Sequence, residues 1–325
     1  MFTARVLDID AEKEARRIEE AIREQVRDLK RRGAVVGVSG GIDSAVVATM
    51  CTRALGADRV LALFMPERDS SDESLTLGRE LAGGLGVESV TENIAGILAA
   101  AGCYERQDEA IRAVFPEYGP GYKSKIVLPS ILESDRLNVS ELTVEKPGGE
   151  QVTKRLPLAS YLQMVAATNF KQRTRKMLEY YHADRLNRVV AGTPNRLEYD
   201  QGFFVKGGDG LADIKPIAHL YKTQVYALAA YIGVPEGIRR RPPTTDTFSL
   251  PQSQEEFYFA LPHDKMDLCL YGRNHGVGAG EVGAAIGLTE EQVLRVYRDI
   301  DQKRRTTRYL HAYPQLAGPV PEISH

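Results

Sequence analysis

The chain has 325 residues, 43% hydrophobic and 26% charged, a composition of folded globular proteins rather than of disordered or collagen-like ones. Its 42 Lys and Arg stand against 44 Asp and Glu, a formal charge of −2, so no global basic field argues for a nucleic-acid partner. Three widely spaced cysteines (Cys51, Cys103, Cys269) suggest neither a disulfide framework nor a zinc site; with no signal-peptide pattern and no run of ~18 apolar residues, the expected setting is cytoplasmic, without a membrane partner.

In chain order, residues 9 to 32 place Ala15, Ile18, Ile22, Val26 and Leu29 at steps of three and four, an amphipathic helix that Gly33 ends. Ala34 to Val38 is an apolar run of strand length, followed by Ser-Gly-Gly and a helical stretch from Asp43 to Leu55. A strand over Arg59 to Met65 comes next, then Ser70 with Glu73 three residues on, a capping-box spacing that opens a helix to about Leu85. Strands near Glu88 to Ile94 and at Arg188 to Ala191 continue the alternation. The pattern predicts an α/β fold, a doubly wound parallel sheet with helices on both faces.

Two stretches interrupt it. Between 115 and 160, residues 137–144 and 151–156 flank Lys146-Pro147-Gly148-Gly149-Glu150, which reads as an inserted β-hairpin. From Arg239 to about His263, an Arg-Arg-Arg-Pro-Pro run leads into Thr244-Thr245-Asp246-Thr247-Phe248-Ser249, a loop and candidate lid. Thr289 with Gln292 then opens a final helix running into Lys303-Arg304-Arg305. No repeat divides the chain, so the expectation is one domain over 1–325, with 115–160 inserted and 239–263 as the lid loop.

The chemistry centres on Gly37-Val38-Ser39-Gly40-Gly41-Ile42-Asp43-Ser44, set between a strand and a helix. Glycines let backbone N–H groups converge on an anion, Ser39 and Ser44 add hydroxyl donors, and the helix N-terminus adds a positive dipole: a phosphate cradle. The GxxxxGK[ST] spacing of a Walker site is absent. The loop also satisfies G-x-S-x-G, the nucleophile elbow of hydrolases, which would make Ser39 a nucleophile; His219, His263 and His275 sit in no recognisable triad setting.

Ser39-Gly40-Gly41-Ile42-Asp43-Ser44 resembles the SGGxDS signature of ATP pyrophosphatases, the PP-loop superfamily. Further segments are similar to ammonia-dependent NAD synthetases: Asn169 to Arg175 to their NxKAR segment, with Gln172 where alanine is usual, and Gly192-Thr193 through Glu198 to their GTxxxxE turn. Gly202 to Gly210 resembles GxFTKxGDG, with Val205 for threonine; Pro243 to Asp246 a family loop; and Gln302-Lys303-Arg304 a closing His-Lys-Arg.

The resemblance implies an adenine nucleotide alpha hydrolase-like fold and ATP contacts from Ser39, Gly40, Gly41, Asp43, Ser44, Thr193, Lys222 and Thr244. It implies Mg²⁺ on Asp43 and Glu198, with catalytic roles for Asp43, Lys222 and Glu198, and deamido-NAD contacts from Arg173, Lys206, Asp213 and Lys303. The implied reaction is adenylation of the nicotinate carboxylate of deamido-NAD, then displacement of AMP by ammonia, which arrives free or from a separate glutaminase. A homodimer, packed through helices near residues 160 to 184, is also implied. The insertion and the lid depart from the family pattern, which keeps open the same chemistry on another carboxylate. An ATP-sensing module would be expected to have lost a metal carboxylate.

Read alone, single features have plainer meanings. Asp43 would be a helix cap, Glu198 a solvated acid, Asp209 a turn residue between glycines, and Lys303-Arg304-Arg305 a complement to the helix dipole.

Overall fold

The computed structural model describes residues 2–128, 140–242, 248–259 and 261–323. Helix α1 (Ala11–Asp28) starts where the Asp10 carboxylate accepts the Lys13 N–H and buries Ala15, Ile18, Ile22 and Val26, the face its periodicity predicted. It stops at Asp28, before the expected Gly33. Gly33 serves another purpose: a Cβ there would lie 2.0 Å from the Arg59 carbonyl oxygen, so only glycine lets the next strand begin against that backbone.

The alternation then runs β1 (Ala34–Gly37), α2 (Ile42–Leu55), β2 (Val60–Phe64), α3 (Asp72–Leu85), β3 (Glu88–Thr91), α4 (Ala95–Ala100) and α5 (Cys103–Arg112). The capping residue of α3 is Ser71, whose hydroxyl accepts the Ser74 N–H, and not Ser70 with Glu73; the cap is shifted by one residue. After β4 (Lys123–Val127), β5 (Glu141–Glu145) and β6 (Gln151–Arg155), the long α6 (Leu158–Leu186) leads to β7 (Val189–Ala191). Helices α7 (Arg196–Gln201), α8 (Lys222–Tyr231), α9 (Glu236–Arg240), α10 (His263–Asn274), α11 (Ala279–Ile286) and α12 (Glu290–Thr307) complete the chain. The Thr289/Gln292 capping box of α12 forms as predicted.

Strands order β3-β2-β1-β7, with the neighbouring pairs parallel. Side chains alternate across this sheet. Ala34, Val36, Val60, Ala62 and Phe64 join the core under α1, α2 and α8, while Val35, Leu61, Leu63 and Val190 face α4, α5 and α6. Such double burial explains why the strands read as continuous apolar runs, and it confirms the doubly wound class.

Two further cores lie beside the sheet. One joins α10, α11 and α12 with Phe2, Leu7 and Leu197. The other belongs to the insertion, which forms the expected hairpin β5–β6 but is larger than predicted: β4 pairs antiparallel with β5, making a three-stranded sheet whose Ile126, Leu142 and Val144 are buried. The start of the expected first hairpin strand, 137–139, lies outside the described residues.

Candidate active site

Strand order reverses between β1 and β7, and a cavity of about 430 Å³ opens at the carboxyl ends of β1, β2 and β7, where doubly wound sheets place ligands. The loop after β1 forms its floor. Gly40 has φ +77°, and a Cβ there would fall 2.4 Å from the Ser74 carbonyl oxygen, so the loop turns tightly against the first turn of α3. The Ser44 hydroxyl donates to the Gly41 carbonyl at 2.9 Å and accepts the Ser39 N–H at 3.2 Å, which shapes the bend. Gly41 is the N-cap of α2 and brings no capping side chain, so the helix start faces the cavity uncovered.

Three helix starts meet at this loop. Asp43 lies in the first turn of α2, Glu198 in the first turn of α7 and Lys222 at the first residue of α8. The Lys222 ammonium pairs with Asp43 Oδ2, and Asn195 Nδ2 donates to Asp43 Oδ1 at 3.0 Å. Asn195 is also the N-cap of α7: its side chain accepts the Glu198 N–H while Glu198 Oε2 accepts the Asn195 N–H at 3.1 Å. One residue therefore orients both carboxylates, Asp43 through its side-chain amide and Glu198 through its backbone N–H. Asp43 is no helix cap and Glu198 no free surface acid; the plain readings fail for both.

Lys222 is 1% exposed. Burial alone would lower its pKa, but the facing Asp43 and Glu198 carboxylates outweigh that and hold the ammonium charged. Its backbone is fixed as well, because the Asp267 carboxylate accepts the N–H groups of Lys222 (3.2 Å) and Thr223 (2.7 Å). Burial raises the Asp267 pKa to about 6. Enclosure in the cleft, reinforced by the Asp43 charge, pushes Glu198 up to about 8 against the pull of Lys222.

Ser39, Gly41, Asp43, Ser44, Thr193, Glu198 and Lys222 line this cavity, so seven of the expected ATP and metal positions converge. Thr244 lies outside the described residues. The expected dinucleotide positions are placed differently. Arg173 is exposed on α6 and donates to the Lys206 carbonyl at 3.3 Å, while the Lys206 ammonium reaches the Tyr309 carbonyl at 2.8 Å. Asp213 accepts the Val190 N–H at 2.7 Å and the Tyr180 hydroxyl at 3.1 Å, tying its loop to β7. Lys303 pairs with Asp299 at 2.6 Å and donates to the Tyr258 carbonyl at 2.7 Å.

Arg173 was the α6 residue the motif pointed to, but the α6 charges that line the cavity are Arg175 and the buried Lys171, Lys176 and Glu179. Lys171, 1% exposed, holds Glu67 (2.9 Å) and Asp69 (2.7 Å) and so ties the loop after β2 to α6. The basic run divides: Arg241 lines the cavity beside Ser71, whereas Arg240 pairs with Glu236 on the surface. Asp209 closes the predicted turn by accepting the Val205 N–H at 2.7 Å while still lining the cavity. Among the described residues the hydrolase reading finds no triad. The Ser39 hydroxyl meets Ser44 at 3.3 Å, while His219 bonds Glu14 and His275 bonds the Tyr271 carbonyl.

A family model described as NAD synthase matches residues 14–114 and 138–309. An NH3-dependent NAD+ synthetase from Mesorhizobium japonicum is 63% identical over 98% of this chain and 100% of that relative. One from Rhizobium meliloti is 60% identical over 99% of this chain and 97% of the relative. Among solved structures, the NH3-dependent NAD synthetase of Campylobacter jejuni covers 95% of this chain and 100% of its own, at 23% identity and a TM-score of 0.61, a likeness of fold.

Proposed function

The chain belongs to the NAD synthase family, and we propose that the cavity between β1 and β7 is where it joins ammonia to deamido-NAD at a site built from Asp43, Glu198 and Lys222. It is an ATP-dependent carbon–nitrogen ligase: the nicotinate carboxylate is adenylated with loss of pyrophosphate, and ammonia then displaces AMP to give NAD. Relatives matched end to end favour this acceptor over another carboxylate. The observation that carries the site is the meeting of three helix starts on one lysine and two carboxylates.

The carboxylate oxygen attacks the α-phosphorus and the bond to the β-phosphate oxygen breaks. Negative charge builds on the departing pyrophosphate, which the open start of α2, the Ser39 and Ser44 hydroxyls and the Lys222 ammonium are placed to balance. The loop's shape is held by its own Ser39–Ser44 and Ser44–Gly41 hydrogen bonds, so the step relies on positioning and electrostatics, with no side-chain nucleophile. Ammonia, free or from a separate glutaminase, then attacks the acyl carbon, AMP leaves with the bonding pair, and the nitrogen gives up one proton to water as the amide forms.

Asp43 and Glu198 fit a magnesium ion. Among the described residues no three metal-binding side chains cluster, but two mutually repelling carboxylates beside a phosphate cradle are the donor set of a hard cation that shares its shell with phosphate oxygens and water. When bound, the ion would neutralise phosphate charge.

Enclosure and the Asp43 charge raise the Glu198 carboxyl to about 8, so a cation binding there near neutral pH would compete with a proton. Cation affinity should thus rise with pH, by up to about tenfold per unit below 8, and level off above it. Calorimetric titration of Mg²⁺ with a non-hydrolysable ATP analogue reads this slope, which Glu198→Gln should abolish. The same shift lets the folded state bind a proton that the unfolded chain releases between about pH 4.5 and 8, so stability falls as pH rises through that window. A neutral glutamine removes that cost, so its loss of binding would not be unfolding. An unchanged slope in Glu198→Gln would contradict the assignment.

The exposed side of α6 carries Leu158, Leu162, Met177 and Tyr181, 54–71% exposed and on one stripe with Arg173. This apolar face supports a homodimer in which Arg173 and the neighbouring Lys206 meet the dinucleotide near the two-fold axis. Met177→Glu with Tyr181→Glu should give monomers by sedimentation; a native chain that is already monomeric would remove the proposal.

A further inference from the structure

Residues 248–259, expected to be lid loop, are built into the molecule on three sides. Against the insertion, the Ser249 hydroxyl accepts the Ser124 N–H at 2.9 Å, the Leu250 N–H donates to the Ser124 carbonyl at 3.2 Å and the Leu128 N–H donates to the Glu256 carbonyl at 3.0 Å. Gln252, 4% exposed, donates its amide to the Ile126 carbonyl, and Phe248 sits in the insertion's core. Against the C-terminal helices, Lys303 holds the Tyr258 carbonyl and lies 4.5 Å from that ring's centre. Between these anchors, Gln254 faces the cavity and its amide donates to Glu198 Oε1 at 3.0 Å.

We propose that the three-stranded sheet β4–β5–β6 is the frame that holds Gln254 on Glu198, and that Gln254 is a positioning residue for cation binding. The inference rests on the reading of Glu198 as a cation ligand and deepens it. Glu198 has two oxygens, one fixed by the Asn195 N–H and the other by the Gln254 amide. A carboxylate held at both oxygens keeps one orientation and can still offer lone pairs to a metal. The frame supplies what a free loop could not: backbone pairing along β4 and a buried glutamine two residues before Gln254. In this reading the insertion is part of the catalytic apparatus, although none of its described strand residues lines the cavity.

The test is Mn²⁺ binding, read from the free-ion electron paramagnetic resonance signal, to the full chain with an ATP analogue bridged by methylene between the α and β phosphorus atoms. Gln254→Ala should weaken Mn²⁺ about tenfold, while analogue affinity without metal changes less than about twofold. Gln254→Asn, which draws the amide back by one methylene, serves as second variant if alanine melts early, and should also fail to restore binding. Gln252→Ala should weaken Mn²⁺ about threefold, and the double variant should be no weaker than Gln254→Ala alone, because both act through one contact.

Native Mn²⁺ affinity in Gln254→Ala, with Glu198→Gln impaired, would overturn the positioning role. Independent, multiplying losses in the double variant would overturn the frame. Native affinity in Glu198→Gln would instead remove the metal reading on which both rest.

Discussion

Lys222→Met is expected to cut pyrophosphate release from ATP about a thousandfold while the protein remains folded. A single hydrogen-bond donor removed from a site of developing negative charge costs about 10²–10³ in rate, and Lys222 brings a full charge from a position 1% exposed to water. Methionine keeps the stem's volume, and protonation of Glu198, already favoured near neutrality, relieves the two carboxylates left facing each other. Arginine should not rescue the rate, since its planar fork does not fit a pocket shaped for a point charge whose backbone is fixed by Asp267. Quenched-flow measurement of pyrophosphate, with thermal melting as control, reads the outcome; retention of more than about a tenth of the native rate would place Lys222 outside the reaction.

Gly40→Ala should produce the second large effect, for a different reason. At φ +77° an alanine is strained by about 1–3 kcal/mol, and its methyl would meet the Ser74 carbonyl oxygen at 2.4 Å. Either the loop or the start of α3 must shift, and about 1 Å of displacement at a reacting centre is worth roughly a hundredfold. The expected result is a kcat/KM for ATP lower by about a hundredfold and a reduced melting temperature. Gly84→Ala, in the last turn of α3 with open space around it, should match or exceed native stability. A fully active Gly40→Ala enzyme would show that the loop's shape is not what holds the phosphates.

What the sequence made legible follows a physical rule: chemistry encoded locally could be read, and chemistry made by distant contact could not. The glycines and serines of 37–44 announce their turn because backbone conformation restricts residue choice, and α1 shows its buried face through spacing alone. Asp43, Glu198 and Lys222 each open a helix next to a recognisable segment. Asp267 had no such signal. It is one carboxylate within α10, and its partners, Lys222 and Thr223, lie 45 and 44 residues away.

The first half of α6 carries no amphipathic signal of its own, because it is apolar on exposed and buried sides alike; helices near 160 to 184 entered only through the resemblance. Strand β4 is short and carries two lysines, so it resembled a loop until β5 paired with it. The segment 248–259 looked like a lid because its order comes from the frame and from Lys303 rather than from its own residues. Lys303, which the motif pairs with the dinucleotide, has its ammonium engaged by Tyr258 and Asp299.

In the proposed site one cavity couples cleavage of ATP to amidation of deamido-NAD. Pyrophosphate and NAD are to be followed together, with ATP, Mg²⁺ and ammonium, in the presence and absence of deamido-NAD. No pyrophosphate is expected without deamido-NAD, and one NAD is expected for each pyrophosphate released with it. Pyrophosphate release that ignores deamido-NAD, or that proceeds without NAD, would contradict that coupling.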